Sequence, residues 1–461
     1  MAIIQQDFEN GNSEKEKITH FYKEYKLGSL LTQSNVRKEK GISLGFLFTT
    51  LLAIIFTGKS LNRLNQENKL GFKKDTAYRF LNSIHTNWQK FICLLAKAII
   101  LKLNPTTSDN RIETLIIDDT IYKRDRSKNV ELLSKVYDHN DKRFFKGFRC
   151  LTAGYSDGET FIPTCFNLLS SLRKKSRYNE ANENIDRRSF GYERREASKN
   201  SMLDAAFDLV CVAQQGVISF SHVLFDSWFS FPSFFRKLLS KKVHGIGMLK
   251  AMHKIFYNYN DKLYTLSDLY AFIADKIPKD KDKFSVVVTF KSAKDNDPMS
   301  MKILFVREMS RKRSWLALGT TDLSLSDDDI LILYSRRWDI EVFFKTCKVY
   351  LGLARECAAC SYDALTAEIA ICYTRYCILA TIARDKVDPR FRSTPGDLFY
   401  LCFDEIAERS LDDVMKSFYN ALLVVLNSND FNINIECFVS AFISLLPFNI
   451  RARLANHSCE T

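Results

Sequence analysis

Two short β-type runs, each closing on an acid, constrain this chain most. LIID ends at Asp118, with Asp119 and Thr120 just after it, and HVLFD ends at Asp226, followed by Ser227 and Trp228. Between them, RCLTAGYSDGETFIPTCFNLL reads as a hairpin turning at Ser156–Gly158. Residues 172–200 are polar and strongly basic, and SMLDAAFDLVCVAQQ has helical periodicity. Strand, basic crossover, helix and strand imply an α/β layer with some parallel pairing. In such a layer a strand end is where a rigid sheet aims side chains into an open crevice.

The flanking segments differ in character. Residues 1–105 read as a helical N-terminal region, with a cap expected at Asp75 before a long apolar-periodic run. PTTSD, from Pro105 to Asp109, reads as a linker, so the first part of the α/β core is expected over 106–240. Residues 241–325 are β-rich (KVHGIGMLK, KLYTL, KFSVVVTF, MKILFVRE, SWLALGTT) and read as an insertion. Residues 326–400 return to helix as the second part of the core, and 401–461 read as a helical C-terminal region.

Composition narrows the function classes. The chain has 461 residues and a net charge of +13, whose sign favours a polyanionic partner. The apolar run Ile42–Thr57 is shorter than the ~20 residues a membrane span needs, and a buried helix is expected there. No export signal is apparent at MAIIQQDFENG, and the 12 cysteines lack paired spacing, which suits reduced thiols in a cytoplasmic protein with no membrane partner. Cys357 and Cys360 form a lone CxxC without a second pair. His139, His222, His244 and His253 stand in no catalytic context.

YSRRWDIEVFFKTCK, residues 334–348, sets one acid among bases. Read as one helix, it places Tyr334, Arg337, Glu341 and Lys348 at about 0°, 300°, 340° and 320°, within one arc. Asp339 falls at about 140° and points away. A solvated salt-bridge face would look similar. The alternative is that Glu341 joins Asp118 or Asp119 and Asp226 around a hard cation, which takes only one or two protein carboxylates each.

The same residues resemble a known family. Tyr334, Arg337, Glu341 and Lys348 match the Y-x2-R-x3-E-x6-K signature of bacterial insertion-sequence DDE transposases of the insertion-sequence-four family. IIDDT (116–120) is similar to that family's first-aspartate region, and HVLFDSWF (222–229) to its second. The resemblance covers residues 75–380 and implies an RNase H-like catalytic core interrupted by a β-rich insertion. It implies catalytic acids at Asp118 or Asp119, Asp226 and Glu341, with Asp118, Asp226 and Glu341 holding Mg²⁺ (Mn²⁺ can substitute). D-x-Thr/Ser spacing favours Asp118, whereas an aspartate directly before Thr would choose Asp119. Tyr334, Arg337 and Lys348 would hold phosphates of the DNA ends. Trp338, at about 40° on the wheel, would either stack on an extruded base or sit in the core.

The expected activity is metal-dependent cleavage and strand transfer of DNA ends. The implied partners are terminal inverted repeats and target DNA, with a homodimer pairing the two ends. Arg37, Lys38, Lys40, Lys73, Lys74 and Arg79 are candidates for recognising the repeats. An RNase H-fold nuclease without strand transfer, or a non-catalytic DNA-binding protein, would share the same basic surface.

Overall fold

The computed structural model describes residues 12–385, apart from 39, 105–110, 140, 279, 291–297, 308–314 and 356–358, together with Phe418, Phe442 and Ser444. The chain divides into two compact units, Met1–Pro395 and Gly396–Thr461. In the second unit the described rings of Phe418 and Phe442 meet edge-on at 5.6 Å. The expected helical region over 401–461 otherwise lies outside the described residues.

The first unit begins with helices α1 (Asn12–Glu24), α2 (Leu27–Gln33), α3 (Leu44–Ala53), α4 (Leu61–Gln66), α5 (Lys74–Leu81) and α6 (Trp88–Leu103). The Ile42–Thr57 run forms α3 and a short 3-10 turn, with Leu47, Phe48, Leu51 and Leu52 buried. The expected cap at Asp75 is corrected. Asp75 lies in the first turn of α5, and the long periodic run breaks so that α6 starts afresh, its Asn87 side chain accepting from the Lys90 amide at 2.9 Å.

Eleven strands among the described residues form one mixed sheet. They are β1 (Thr114–Lys123), β2 (Ser134–Asp138), β3 (Arg143–Ser156), β4 (Phe161–Leu169), β5 (His222–Phe225), β6 (His244–Leu249), β7 (Tyr257–Tyr259), β8 (Lys262–Tyr264), β9 (Lys283–Phe290), β10 (Met299–Arg307) and β11 (Trp315–Thr320). The order runs β2-β3-β1-β5-β6-β11-β10-β9-β7-β8, and the far half of β3 also pairs with β4. β1 is antiparallel to β3 but parallel to β5, which is parallel to β6.

The β3–β4 connection falls where the sequence indicates. Asp157 accepts from the amides of Glu159 and Thr160 at 2.9 and 2.8 Å, and Gly158 takes a φ of +89° that favours glycine. β6 lies in the stretch read as insertion, yet it continues the parallel part of the sheet. β11 then pairs antiparallel with β6, so the β-rich residues extend the same sheet.

The remaining helices cover the sheet: α7 (Phe190–Ala197), α8 (Met202–Gln215), α9 (Pro232–Ser240), α10 (Leu266–Ala274), α11 (Asp327–Ser335), α12 (Trp338–Val349) and α13 (Tyr362–Asp385). Side-chain caps start several of them, Ser201 on α8 and a full Ser326/Asp329 capping box on α11. α13 is the one described helix long and apolar enough to cross a membrane, and 94% of its apolar window is buried inside this fold. Its polar groups are satisfied there. Tyr373 meets Thr152 of β3 at 2.6 Å, and Arg375 donates to the carbonyls of Leu51, Leu52 and Leu351 at 2.5, 3.0 and 3.2 Å. α12 packs against α13 through Phe343, whose ring lies 4.9 Å from Tyr373, 4.7 Å from Tyr376 and 5.1 Å from Phe161. These aromatic contacts fix the helix that carries Glu341 against β4 and α13.

Candidate active site

β1 and β5 bring two acids together. Their parallel register pairs Ile117 with Phe225, so Asp118, within β1, and Asp226, the first residue past β5, lie side by side. The sequence reading that closed the first strand at Asp118 is corrected, since the β1–β3 ladder runs on to Lys123. β5 ends there while β1 continues, which opens the crevice. Asp118 Oδ1 accepts from the Asp119 amide at 2.8 Å, and Asp226 Oδ1 accepts from the Trp228 amide at 2.9 Å.

The pleat separates the neighbouring aspartates. Asp118 lies opposite Thr152 in the β1–β3 ladder, and Thr152 faces Tyr373 of α13. Asp118 therefore points to the α12–α13 side, and Asp119 to the other face. There Asp119 Oδ2 accepts from Arg149 Nη1 at 2.6 Å, while Arg149 Nη2 donates to the Tyr137 carbonyl at 2.8 Å. Arg149 was not a sequence candidate. Its alternation with Asp119 across a strand pair was the available signal.

The expectation of one helix over 334–348 is corrected. α11 ends at Ser335, and α12 starts at Trp338 with Arg337 as its cap. Around the junction the amides of Arg336, Arg337 and Asp339 bond three residues back, to Leu333, Tyr334 and Arg336, at 3.1, 3.0 and 2.9 Å. This tighter turn is held from outside. Arg336 donates to the Ile112 carbonyl and packs over Gly158, where an added Cβ would lie 2.9 Å from the guanidinium carbon. Asp339 turns away from Glu341, as the wheel implies, and accepts from Ser156 Oγ at 2.8 Å.

Arg337 joins the acids across this junction. Its Nη1 lies 3.3 Å from Asp118 Oδ2 and its Nη2 2.5 Å from Glu341 Oε1. Tyr334 stands next to it, ring centroid 5.9 Å from the guanidinium, with a buried hydroxyl that makes no hydrogen bond among the described residues. Lys348 is half-buried two turns beyond Glu341, near Cys150 and Asp119, and forms no ion pair among the described residues. Trp338 is 62% exposed, so its ring is available at the surface rather than in the core.

Electrostatics sharpen the picture. Burial pushes the Asp118 carboxyl up to about 8, and the nearby Asp119 and Asp226 carboxylates add to the shift. Asp226 is raised as well, first by burial and then by Asp119 and Glu341. Burial opposes the Arg337 charge, but Tyr334, Glu341 and Asp118 outweigh it and raise its pKa. Burial lifts the Tyr334 phenol to about 12 and lowers Lys348. Mutually repelling carboxylates in a half-dry crevice are a place where a cation is favoured.

As hard oxygen donors, Asp118, Asp226 and Glu341 fit Mg²⁺ in chemical type. In this arrangement Arg337 occupies the gap between Asp118 and Glu341, and among the described residues no three His, Cys, Asp or Glu side chains are grouped to hold one ion. The Asp226 charge helps to raise Asp118 and the Glu341 charge helps to raise Asp226, so the three acids act on one another electrostatically. The CxxC is only half described: Cys360 is exposed and unpaired in a disulfide, and Cys357 lies outside the described residues.

Comparison with known families follows the same elements. The model described as DDE superfamily endonuclease matches residues 31–261, half of the chain. The chain belongs to the DDE superfamily. A second model, transposase DDE domain, matches residues 202–378 and takes in Asp226 and the whole of α12. Together they make the chain a DDE transposase, a DNA-cutting enzyme, and DDE transposase domains are generally divalent-metal dependent. No curated protein sequence matches the chain. Among solved structures, a cryo-EM structure of piggyBac transposase in a synaptic complex with hairpin DNA is similar, with a TM-score of 0.41 and 10% identity over 94% of this chain and 85% of that one.

Proposed function

We propose that this DDE enzyme is an insertion-sequence-four transposase that cleaves DNA ends and joins them to target DNA. The observation that carries the reading is the parallel β1–β5 pair, which aligns Asp118 and Asp226, with Glu341 tied to Asp118 through Arg337. An RNase H-like core is supported by the order β4-β3-β1-β5-β6, antiparallel across the first three strands and parallel across the last three.

Asp118 within β1, Asp226 just past β5 and Glu341 on α12 would hold Mg²⁺ or Mn²⁺. The ion, when bound, supplies Lewis-acid stabilisation of charge at the phosphorus and its leaving oxygen. Around it the chain's own groups position the DNA. Arg337 and Lys348 present cations to phosphates, and the unsatisfied Tyr334 hydroxyl lies beside them as a further donor. Exposed Trp338 stacks on a displaced base. In the first reaction water attacks the end phosphodiester, a new O–P bond forms, and the bond to the 3′-oxygen breaks with proton return to that oxygen. In the second the freed 3′-hydroxyl attacks a target phosphodiester, whose own 3′-oxygen leaves. Arg37, Lys38, Lys40, Lys73, Lys74 and Arg79 form no ion pairs among the described residues and support terminal-repeat binding by the helical N-terminal region, in a dimer that pairs two ends.

Incubating the full chain with a plasmid that carries its coding sequence and native flanks tests the reading. Cuts at inverted repeats followed by joining to a second plasmid support it. Cuts without joined products would make the protein a nuclease instead.

A further inference from the structure

The face of the sheet that carries Asp119 holds a second feature. Beside the β2–β3 hairpin lies a groove of about 460 Å³, walled in part by Tyr137, His139, Phe144, Arg149 and Trp228. Four rings make one continuous row there. Trp228 lies 4.8 Å from His139, His139 4.8 Å from Tyr137, and Tyr137 5.0 Å from Phe144, its cross-strand partner. The two ends of the row are open, with Trp228 55% and Phe144 57% exposed. Each open ring has its own lysine: Lys250 at 5.9 Å from Trp228 and Lys135 at 4.2 Å from Phe144. Neither lysine forms an ion pair among the described residues. The Trp228 amide, at the other end of its residue, donates to Asp226.

Exposed rings interleaved with unpaired cations match one polyanion with accessible π faces. Duplex DNA hides its base faces, whereas a single strand offers them one after another beside its phosphates. An apolar peptide would use the rings but gain nothing from the two lysines, in a chain whose net charge is already +13. We infer that the Trp228–His139–Tyr137–Phe144 row is a platform for unpaired nucleotides of a DNA strand leading away from Asp226. Bases stack on Trp228 and Phe144, and Lys250 and Lys135 contact the intervening phosphates. This platform is distinct from Trp338, and it rests on the DNA-processing reading for the identity of its occupant.

Phe144 belongs to none of the acid contacts, which makes it the position to change. The test is fluorescence-anisotropy titration of the full chain, in EDTA, with an oligothymidylate of about twelve nucleotides and with a duplex of the same length. Phe144→Ala should weaken oligothymidylate binding about tenfold, with less than about a twofold change for duplex. Phe144→Tyr, which keeps a ring, should bind as the wild type. Lys135→Ala should lower the salt slope for the single strand by roughly one unit. The inference is overturned if the wild type does not bind oligothymidylate, if Phe144→Ala binds it normally, or if Phe144→Ala loses both probes equally. Capture of a leucine-rich peptide that depends on Phe144, with oligothymidylate unaffected, would also overturn it. Cleavage is measured separately in Mg²⁺, so a wild type that binds single strands through Phe144 but cuts nothing would sink the transposase reading and leave this site standing.

Discussion

Arg337 Nη2 and Glu341 Oε1 lie 2.5 Å apart, and the same guanidinium reaches Asp118 at 3.3 Å. One arginine thus bridges two of the acids that the proposed function assigns to the metal. Removing it leaves buried carboxylates without a counter-charge. Arg337→Ala should destabilise the metal-free protein by about 1–3 kcal/mol, and millimolar Mg²⁺ should restore part of the loss. Arg337→Lys keeps the charge but not the two-point bridge, and should also cut DNA more slowly by about tenfold or more. Thermal melts with and without Mg²⁺, alongside cleavage rates, check both.

The pH response follows from Asp118. Its pKa rises from the ordinary 3.8 to about 8 in the fold, so between those values the folded carboxyl keeps a proton that the unfolded chain has lost. The unfolded state then binds fewer protons, and stability from this group is full below pH 3.8 and declines until pH 8. In EDTA, Asp118→Asn should flatten that decline and melt a few degrees above the wild type near pH 8, on the order of 1 kcal/mol or more. Melting curves at several pH values decide it: parallel declines in both proteins would contradict the assignment.

Packing positions the Glu341 helix. Phe343 is fully buried among Phe161, Tyr373 and Tyr376. Phe343→Ala should cost roughly 3–5 kcal/mol, and Phe343→Leu appreciably less. Denaturant unfolding would measure the difference.

Lys348 is half-buried and has no ion-pair partner among the described residues. If it grips phosphate, Lys348→Gln should reduce the salt slope of binding to the element's end DNA by roughly one unit and leave the melting temperature within about a degree. A slope unchanged in the variant would remove Lys348 from the DNA contacts.

Much of this site could be read in the residues themselves, and the gaps have physical causes. A short β-type run closed by an acid placed Asp226 just past β5, because that signal is local, whereas β1 runs on past Asp118 to Lys123 because β3 pairs with it along its whole length. The choice between Asp118 and Asp119 was not local, since either can face the helix layer until the β1–β3 register and the Thr152–Tyr373 contact set the face. The break between α11 and α12 was invisible for a similar reason. Periodicity continues through Arg336, and what tightens the turn is a carbonyl at Ile112, far away in sequence. Asp75 failed as a cap because the apolar period runs across two helices whose boundary is set by Asn87. Trp338 could have been core or surface by its position on the wheel, and only tertiary packing leaves it exposed.

The most direct measurement is Mg²⁺-dependent cleavage of the flank-bearing plasmid by the wild type and by Asp118→Asn, Asp119→Asn, Asp226→Asn and Glu341→Gln, each checked for folding by its melting curve. The account predicts that Asp118→Asn, Asp226→Asn and Glu341→Gln lose about a hundredfold or more in rate while still binding DNA, and that Asp119→Asn retains cleavage. Wild-type cleavage by folded Glu341→Gln, or loss in Asp119→Asn with Asp118→Asn active, would contradict it.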